Sequence, residues 1–259
     1  MDSVTGRGHT QAILYDSFAK SRIASLPRIR FEGKIIVIDK ADDAARAVKE
    51  LVKVDMVGID SETRPNFTRN NHHKVALLQV ATLDTAYLFR LCRIGLPDVL
   101  TDWLQNGEQL KIGLSLKDDF HQLHERGDFK TGRVLELQEY VRKFGITDMG
   151  LQKLCANVLG GQLSKHERLS NWEAEKLSQR QLCYAATDAW VCLCIFKKLR
   201  QLRRSGNYTL INRVAADNLV GRVIRELYAA ELHAERAEAT DAETSYGKGD
   251  QTLTNERHV

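Results

Sequence analysis

No stretch of this 259-residue chain approaches the ~18 consecutive apolar residues that a membrane-spanning helix needs. Its first residues, MDSVTGRGHTQAILYDSF, contain no apolar core of the kind a secretory leader carries. The expectation is a soluble, cytoplasmic protein with no membrane partner. The five cysteines (Cys92, Cys155, Cys183, Cys192 and Cys194) include no C-x-x-C pair, so neither a thiolate metal site nor a disulfide framework is expected. They read as small apolar fillers in a reducing compartment. The chain is no polycation either. Its 38 Lys and Arg stand against 34 Asp and Glu, a net charge of +4, so binding of an anion must rest on local basic groups rather than on a global field.

What is present suffices for one full-sized domain with extensions, since 43% of the residues are hydrophobic. Residues 1–33 read as an N-terminal extension with little periodicity, packing partly on the domain. The body, 34–205, begins with a strand at 35–39, a helix at 41–52 and a strand ending in VGIDSE. VALLQVAT and TAYLFRL follow as a hairpin turning at Leu83 and Asp84. A helix near 96–106, a strand LKIGLS, a helix KDDFHQLHER and a strand VLEL come next, and this alternation implies parallel pairing. The fold class is α/β, a mixed β-sheet flanked by helices on both faces, with an all-helical portion from 138 to 205. Ile211, Val214, Ala215, Leu219, Val223 and Leu227 keep a helical period, which places an amphipathic helix within 206–237. The tail 238–259 has almost no large apolar residue and is expected to be disordered.

Three fragments carry the chemistry: GIDSET with Asp60 and Glu62, KIGLSLKDDF with Asp119, and YAATDA with Tyr184 and Asp188. On a strand of period two, Asp60 and Glu62 leave by one face about 7 Å apart, two steps of about 3.3 Å. Tyr184 and Asp188, at i and i+4, stack on one face of a helix. Ser178 and Gln181 form a capping box that opens this helix, and Leu182, Ala185, Ala186, Ala189, Leu193 and Phe196 mark its core stripe. Any one of these fragments alone is ordinarily a solvated surface pair. Together they assemble four carboxylates and a phenol, a set of hard oxygen ligands that suits Mg²⁺ or Mn²⁺.

Their order, spacing and flanking text resemble the DEDD exonuclease superfamily, in its RNase D and Werner-syndrome exonuclease branch, whose third motif is Y-x-x-x-D. Gly113 to Asp119 reproduces that family's glycine, five residues, aspartate arrangement. The run MGLQKLCANVLGGQLSKHERLSNWEAEKLSQRQLCYAATDAW is similar to its Leu-rich helix, Ser-Asn-Trp, Leu-Ser and Tyr-Ala-Ala-x-Asp-Ala series. Counting from Gly113 favours Asp119 over Asp118, which reads as a helix N-terminal acid stabilised by the macrodipole.

The resemblance implies a ribonuclease H-like fold and a 3′-to-5′ exonuclease that uses two Mg²⁺ or Mn²⁺ ions to release nucleoside monophosphates from single-stranded or frayed 3′ ends of nucleic acid. It implies that Asp60, Glu62 and Asp188 hold one ion, that Asp60 bridges to a second, and that Asp119 reaches the second directly or through water. Tyr184 would mainly orient the attacking water; a general-base role needs its pKa lowered. Thr63, Arg64, Asn66 and Phe67 follow the first motif and could grip the 3′ end, Phe67 by stacking on a base. Lys165, His166 and Arg168 could bind phosphates at the cleft rim or form a solvated basic loop. Trp172 reads as a core anchor, and His72 and His73 as surface polar residues. Two competing readings are a non-catalytic nucleic-acid-binding module and a partner-recruiting module acting through the C-terminal helix.

Overall fold

The computed structural model describes residues 11–66 and 72–213, together with 219, 220, 222 and 223. Along the chain run β1 (Ala12–Tyr15), α1 (Lys20–Ile23), β2 (Lys34–Ile38), α2 (Ala41–Leu51) and β3 (Met56–Glu62). The hairpin strands β4 (Leu77–Ala81) and β5 (Thr85–Phe89) follow, then α3 (Leu91–Ile94), α4 (Asp98–Gln105), β6 (Leu110–Gly113), α5 (Leu116–Leu123) and β7 (Val134–Glu136). After them come α6 (Leu137–Arg142), α7 (Leu151–Leu159), the long α8 (Gln179–Ser205) and a short strand, β8 (Tyr208–Ile211). The main sheet has the order β2-β5-β4-β3-β6-β7. The β3–β4 and β4–β5 pairs are antiparallel and the remaining pairs parallel, which is the expected mixed sheet. Among the described residues no helix is long and apolar enough to cross a membrane.

Alternation along β3 divides the core. Val57 and Ile59 point into one cluster with Ala44, Val48 and Leu51 of α2, Leu100, Trp103 and Leu104 of α4, and Phe120 of α5. The other face lies under α8. There, Gly58 is the residue that permits contact, because a Cβ at this position would stand 1.8 Å from the Ala189 carbonyl oxygen. A second cluster joins Ile112 of β6 to α6, α7 and the α8 residues Val191, Ile195 and Leu199. Helix α8 starts where the sequence places it: the Ser178 hydroxyl accepts from the Gln181 N–H at 3.2 Å, and the Gln181 side chain accepts from the Ser178 N–H at 2.9 Å.

The helix expected near 96–106 is α4; the short α3 precedes it, divided from it by Gly95 at φ 66° and by Pro97. Two local expectations are corrected. The portion 138–205 is interrupted between α7 and α8 by a largely irregular stretch that includes Trp172. Ile211, read from periodicity as part of a helix, lies instead in β8. Gly206 ends α8 at φ 65°, and the chain then pairs in parallel with β1, Ala12 against Tyr208 through Tyr15 against Ile211. The partner strand is distant in sequence, so local periodicity could not report it. Part of the N-terminal extension is thus built into the domain, with Leu14 fully buried beside α6, α7 and α8. Arg213, Leu219, Val220, Arg222 and Val223 are helical, and the rest of the helix expected in 206–237, with the tail 238–259, lies outside the described residues.

The contact at Gly58 gives a test. Gly58→Ala forces α8 away from β3 and is expected to cost about 1–3 kcal/mol of stability, the usual range for overpacking. Thermal unfolding reads it, and an unchanged melting temperature would show that α8 does not depend on this approach.

Candidate active site

Asp60 and Glu62 occupy the end of β3, on the face covered by α8, while α8 supplies Tyr184 and Asp188 from its first turns. The fourth carboxylate arrives through a less obvious construction. Gly113 ends β6 so close to β3 that a Cβ there would stand 2.7 Å from the Ile59 carbonyl oxygen. The chain then turns through Ser115, a non-glycine residue at φ 62°. Glu136 holds that turn, since its carboxylate accepts from the Ser115 N–H at 3.1 Å and the Leu116 N–H at 2.8 Å. The same carboxylate accepts from the Gln138 N–H at 3.0 Å, so one side chain caps the starts of α5 and α6. This fixes α5 with Asp119 half-buried toward the cluster and Asp118 exposed, as the count from Gly113 indicates.

Within the cluster, Asp119 accepts a 2.6 Å hydrogen bond from the Ser61 hydroxyl, Asp188 accepts one from Tyr184, and Asp60 accepts the Ser61 N–H at 3.0 Å. Among the described residues no three acidic, histidine or cysteine side chains converge closely enough, as placed, to coordinate one ion.

The acids nevertheless feel one another. Burial, then the charges of Asp119, Asp188 and Glu62, push Asp60 well above the usual carboxylate range. Burial and the charges of Asp188 and Asp119 raise Glu62 to about 9, against a smaller pull from Arg168. Burial raises Asp188 to about 7, opposed by its hydrogen bond from Tyr184. Asp119 rises to about 6 through burial, opposed by Ser61 and assisted by Asp118 and Glu136. Tyr184 is also raised, through burial, the charges of Asp188 and Glu62, and its hydrogen bond to Asp188, so the phenol keeps its proton. Carboxyls that burial and one another hold protonated, with the Arg168 guanidinium acting on one of them, are groups that bound cations would stabilise in the ionised form.

The outer residues divide. Arg168 is exposed yet acts on Glu62, and Lys165 and His166 are exposed on the same loop. The Thr63 hydroxyl donates to Gln122 at 3.1 Å, and Arg64 lies 3.4 Å from Glu173. Phe67 lies outside the described residues. His72 pairs with Glu125 and His73 with Glu173, so neither approaches the cluster as a ligand. Trp172 is fully buried, with its ring 6.0 Å from that of Tyr184, which makes it an anchor behind the phenol. Sequence reasoning missed Ser61 and Glu136, which position Asp119, and Arg90, whose guanidinium holds the Ala174 and Glu175 carbonyls and so the loop carrying Trp172. Only Ser61, set between the two acids of the first motif, left a signal in the text.

The raised carboxylates set the sign of a pH effect. Between the ordinary glutamate value of 4.5 and about 9 for Glu62, the folded chain holds more protons than the unfolded chain. Stability of the cation-free protein therefore falls as pH rises through that window, and is retained in full only below it. Calorimetric scans in EDTA are expected to show a melting temperature that declines from about pH 5 to about pH 9. A rise over that range would contradict the assignment of these groups.

A family model described as 3′-5′ exonuclease matches residues 35–203. The bifunctional 3′-5′ exonuclease/ATP-dependent helicase WRN of Mus musculus is 30% identical over 205 residues, which is 75% of this chain and 15% of that protein. A 3′-5′ exonuclease of Arabidopsis thaliana is 28% identical over 215 residues, covering 76% of this chain and 74% of its own length. The EXO domain of Aedes aegypti Nibbler superposes with a TM-score of 0.61 at 23% identity, covering 68% of this chain and 92% of that one. Escherichia coli RNase D superposes at 0.60 and 21% identity, covering 67% and 46%. These two structures share the fold: the mixed sheet and its flanking helices are those of the ribonuclease H-like exonucleases. The chain thus spans a small part of the mouse relative and most of the plant one, and the range matched by the family model, 35–203, includes every member of the carboxylate cluster. This chain belongs to the 3′-to-5′ exonuclease family of the DEDD superfamily.

Proposed function

We propose that the protein is a metal-dependent 3′-to-5′ exonuclease of the DEDDy subgroup, acting on single-stranded or frayed 3′ ends of nucleic acid and releasing nucleoside monophosphates. The observation that carries this reading is the placing of Asp60 and Glu62 at the end of β3 beneath α8, which supplies Tyr184 and the buried Asp188, with Asp119 hydrogen-bonded to Ser61 between the two acids of the strand. Divalent-metal dependence is general in the family. The donor set fits it, since every group is a hard oxygen, which favours Mg²⁺ or Mn²⁺. Asp60, Glu62 and Asp188 would hold one ion, and Asp60 with Asp119 a second, in competition with Ser61 and Tyr184 for the same oxygens. When bound, such ions activate water and neutralise charge on the phosphate and the leaving oxygen.

The chain's own residues do the remaining work. Tyr184, whose phenol burial and the neighbouring carboxylates hold above its ordinary value in the cation-free chain, would orient the attacking water; acting as the base would need bound cations to lower it again. Arg168, the cation felt by Glu62, would hold a phosphate at the rim, with Lys165 near it on the same loop. Thr63 and Arg64 border the same site beyond β3, where the 3′ end would enter. The five cysteines are free. Burial raises Cys155 to about 12 and Cys194 to about 11, so these thiols stay protonated.

Asp60→Asn and Asp188→Asn are each expected to reduce cleavage to background with the fold intact, as read by circular dichroism beside a nuclease assay. Asp119→Ala should cost far more than Asp118→Ala. Tyr184→Phe should preserve Mn²⁺ affinity and lower the single-turnover rate by about 10²–10⁴, the usual span of a positioned proton-transfer group. The deciding experiment compares 3′-labelled with 5′-labelled single-stranded DNA and RNA in Mg²⁺ or Mn²⁺. The 3′ label should appear at once as mononucleotide while the 5′-labelled strand shortens stepwise; internal fragments from either substrate would refute an exonuclease.

A further inference from the structure

Gln79 is a fully buried polar residue whose side chain has no hydrogen-bond partner at either end, Nε2 or Oε1. A buried amide left unpaired is costly, and such groups call for an explanation. Its position supplies one. In the antiparallel β3–β4 pair, Gln79 stands directly opposite Asp60. Directly opposed residues project on the same side of the sheet, with Cα atoms roughly 4.5–5.5 Å apart. That side is the one beneath α8: Gly58 abuts Ala189, while Leu77 and Ala81, flanking Gln79 on β4, pack respectively with Ala185 and with Ala186 and Ala189. The amide is therefore enclosed between β4 and an alanine-lined stretch of helix, with the Asp60 carboxylate as its neighbour across the strands.

We propose that Gln79 is a positioning residue for the cation site, its Nε2–H donating to the Asp60 carboxylate in the cation-loaded state. The proposal rests on the nuclease reading given above. A carboxylate shared between two cations must keep both oxygens correctly turned, and a hydrogen bond from an adjacent fixed amide restricts its rotation. Ser61 N–H holds one Asp60 oxygen from the backbone; Gln79 would hold the carboxylate from the neighbouring strand. This accounts for an amide where an apolar side chain would otherwise complete the layer formed by Leu77, Ala81 and Leu88.

Gln79→Met keeps the length of the side chain and removes both polar groups. In EDTA it is expected to melt no lower than the parent, because two unpaired buried groups disappear. Calorimetric titration should show Mn²⁺ affinity reduced about 10- to 100-fold, the usual effect of removing a hydrogen-bond partner from a metal ligand. The single-turnover rate at limiting Mn²⁺ should fall with it, and substrate affinity measured in Ca²⁺ should not. Gln79→Leu, read by the same titration, serves if the methionine variant does not fold. Parental Mn²⁺ affinity in either folded variant overturns the proposal, and a lowered melting temperature with parental affinity would make Gln79 a packing residue. If the parent neither binds Mn²⁺ nor cleaves, the nuclease reading falls and this proposal with it.

Discussion

Helix α8 rests on strand β3 at a distance that only a glycine permits, and the site depends on that contact. Gly58 lets the Ala189 backbone approach. The approach brings Asp188, one residue earlier on the helix, to the level of Asp60, two residues later on the strand. The stripe of small residues Ala185, Ala186 and Ala189 continues the close packing toward the N-terminus of α8. A larger residue at any of these places would lift the helix and separate the acids. The close packing also excludes water, which is why carboxylates at a cleft become so strongly perturbed. Tight packing and an unfavourable electrostatic environment have the same origin.

The second arm of the site is held by polar rather than apolar means. A left-handed Ser115 and the triple acceptance of N–H groups by Glu136 lock the start of α5, and the Ser61 hydroxyl then holds Asp119 at the edge of the cluster. Hydrogen bonds from backbone N–H groups to a carboxylate are among the stronger ones, so Glu136 fixes the geometry of this arm. The arrangement leaves the site with one carboxylate on a strand-facing hydroxyl and another on a phenol, both exchangeable for a cation of higher charge density.

Much of this was legible in the text because it is local. The alternation VGIDSE gave the face of Asp60 and Glu62, the i, i+4 spacing gave Tyr184 with Asp188, and Ser178 with Gln181 marked the first turn of α8. The choice of Asp119 over Asp118 came from a count that reflects real geometry, the Gly113 turn and the helix that follows it. The parts that escaped are those whose cause lies elsewhere in the chain. Tyr208–Ile211 is a strand because Ala12–Tyr15 lies beside it. Glu136 and Arg90 work through backbone groups some 20 and more than 80 residues away. Gln79 resembles any polar residue in a strand until the register sets it against Asp60. Periodicity reports which way a side chain points, but not what the fold will place in front of it.

The central claim is that burial and mutual repulsion keep carboxyls of the cluster protonated until divalent cations displace their protons. Proton release on metal binding tests it most directly, because a carboxyl that burial keeps protonated must lose its proton to become a ligand. Mn²⁺ titrated at about pH 7 in buffers of different ionisation enthalpy should yield binding heats that depend on the buffer and report release of about one proton or more per chain. Saturable Mn²⁺ binding with heats independent of the buffer would contradict the account, since the carboxyls would then be ionised before the metal arrives.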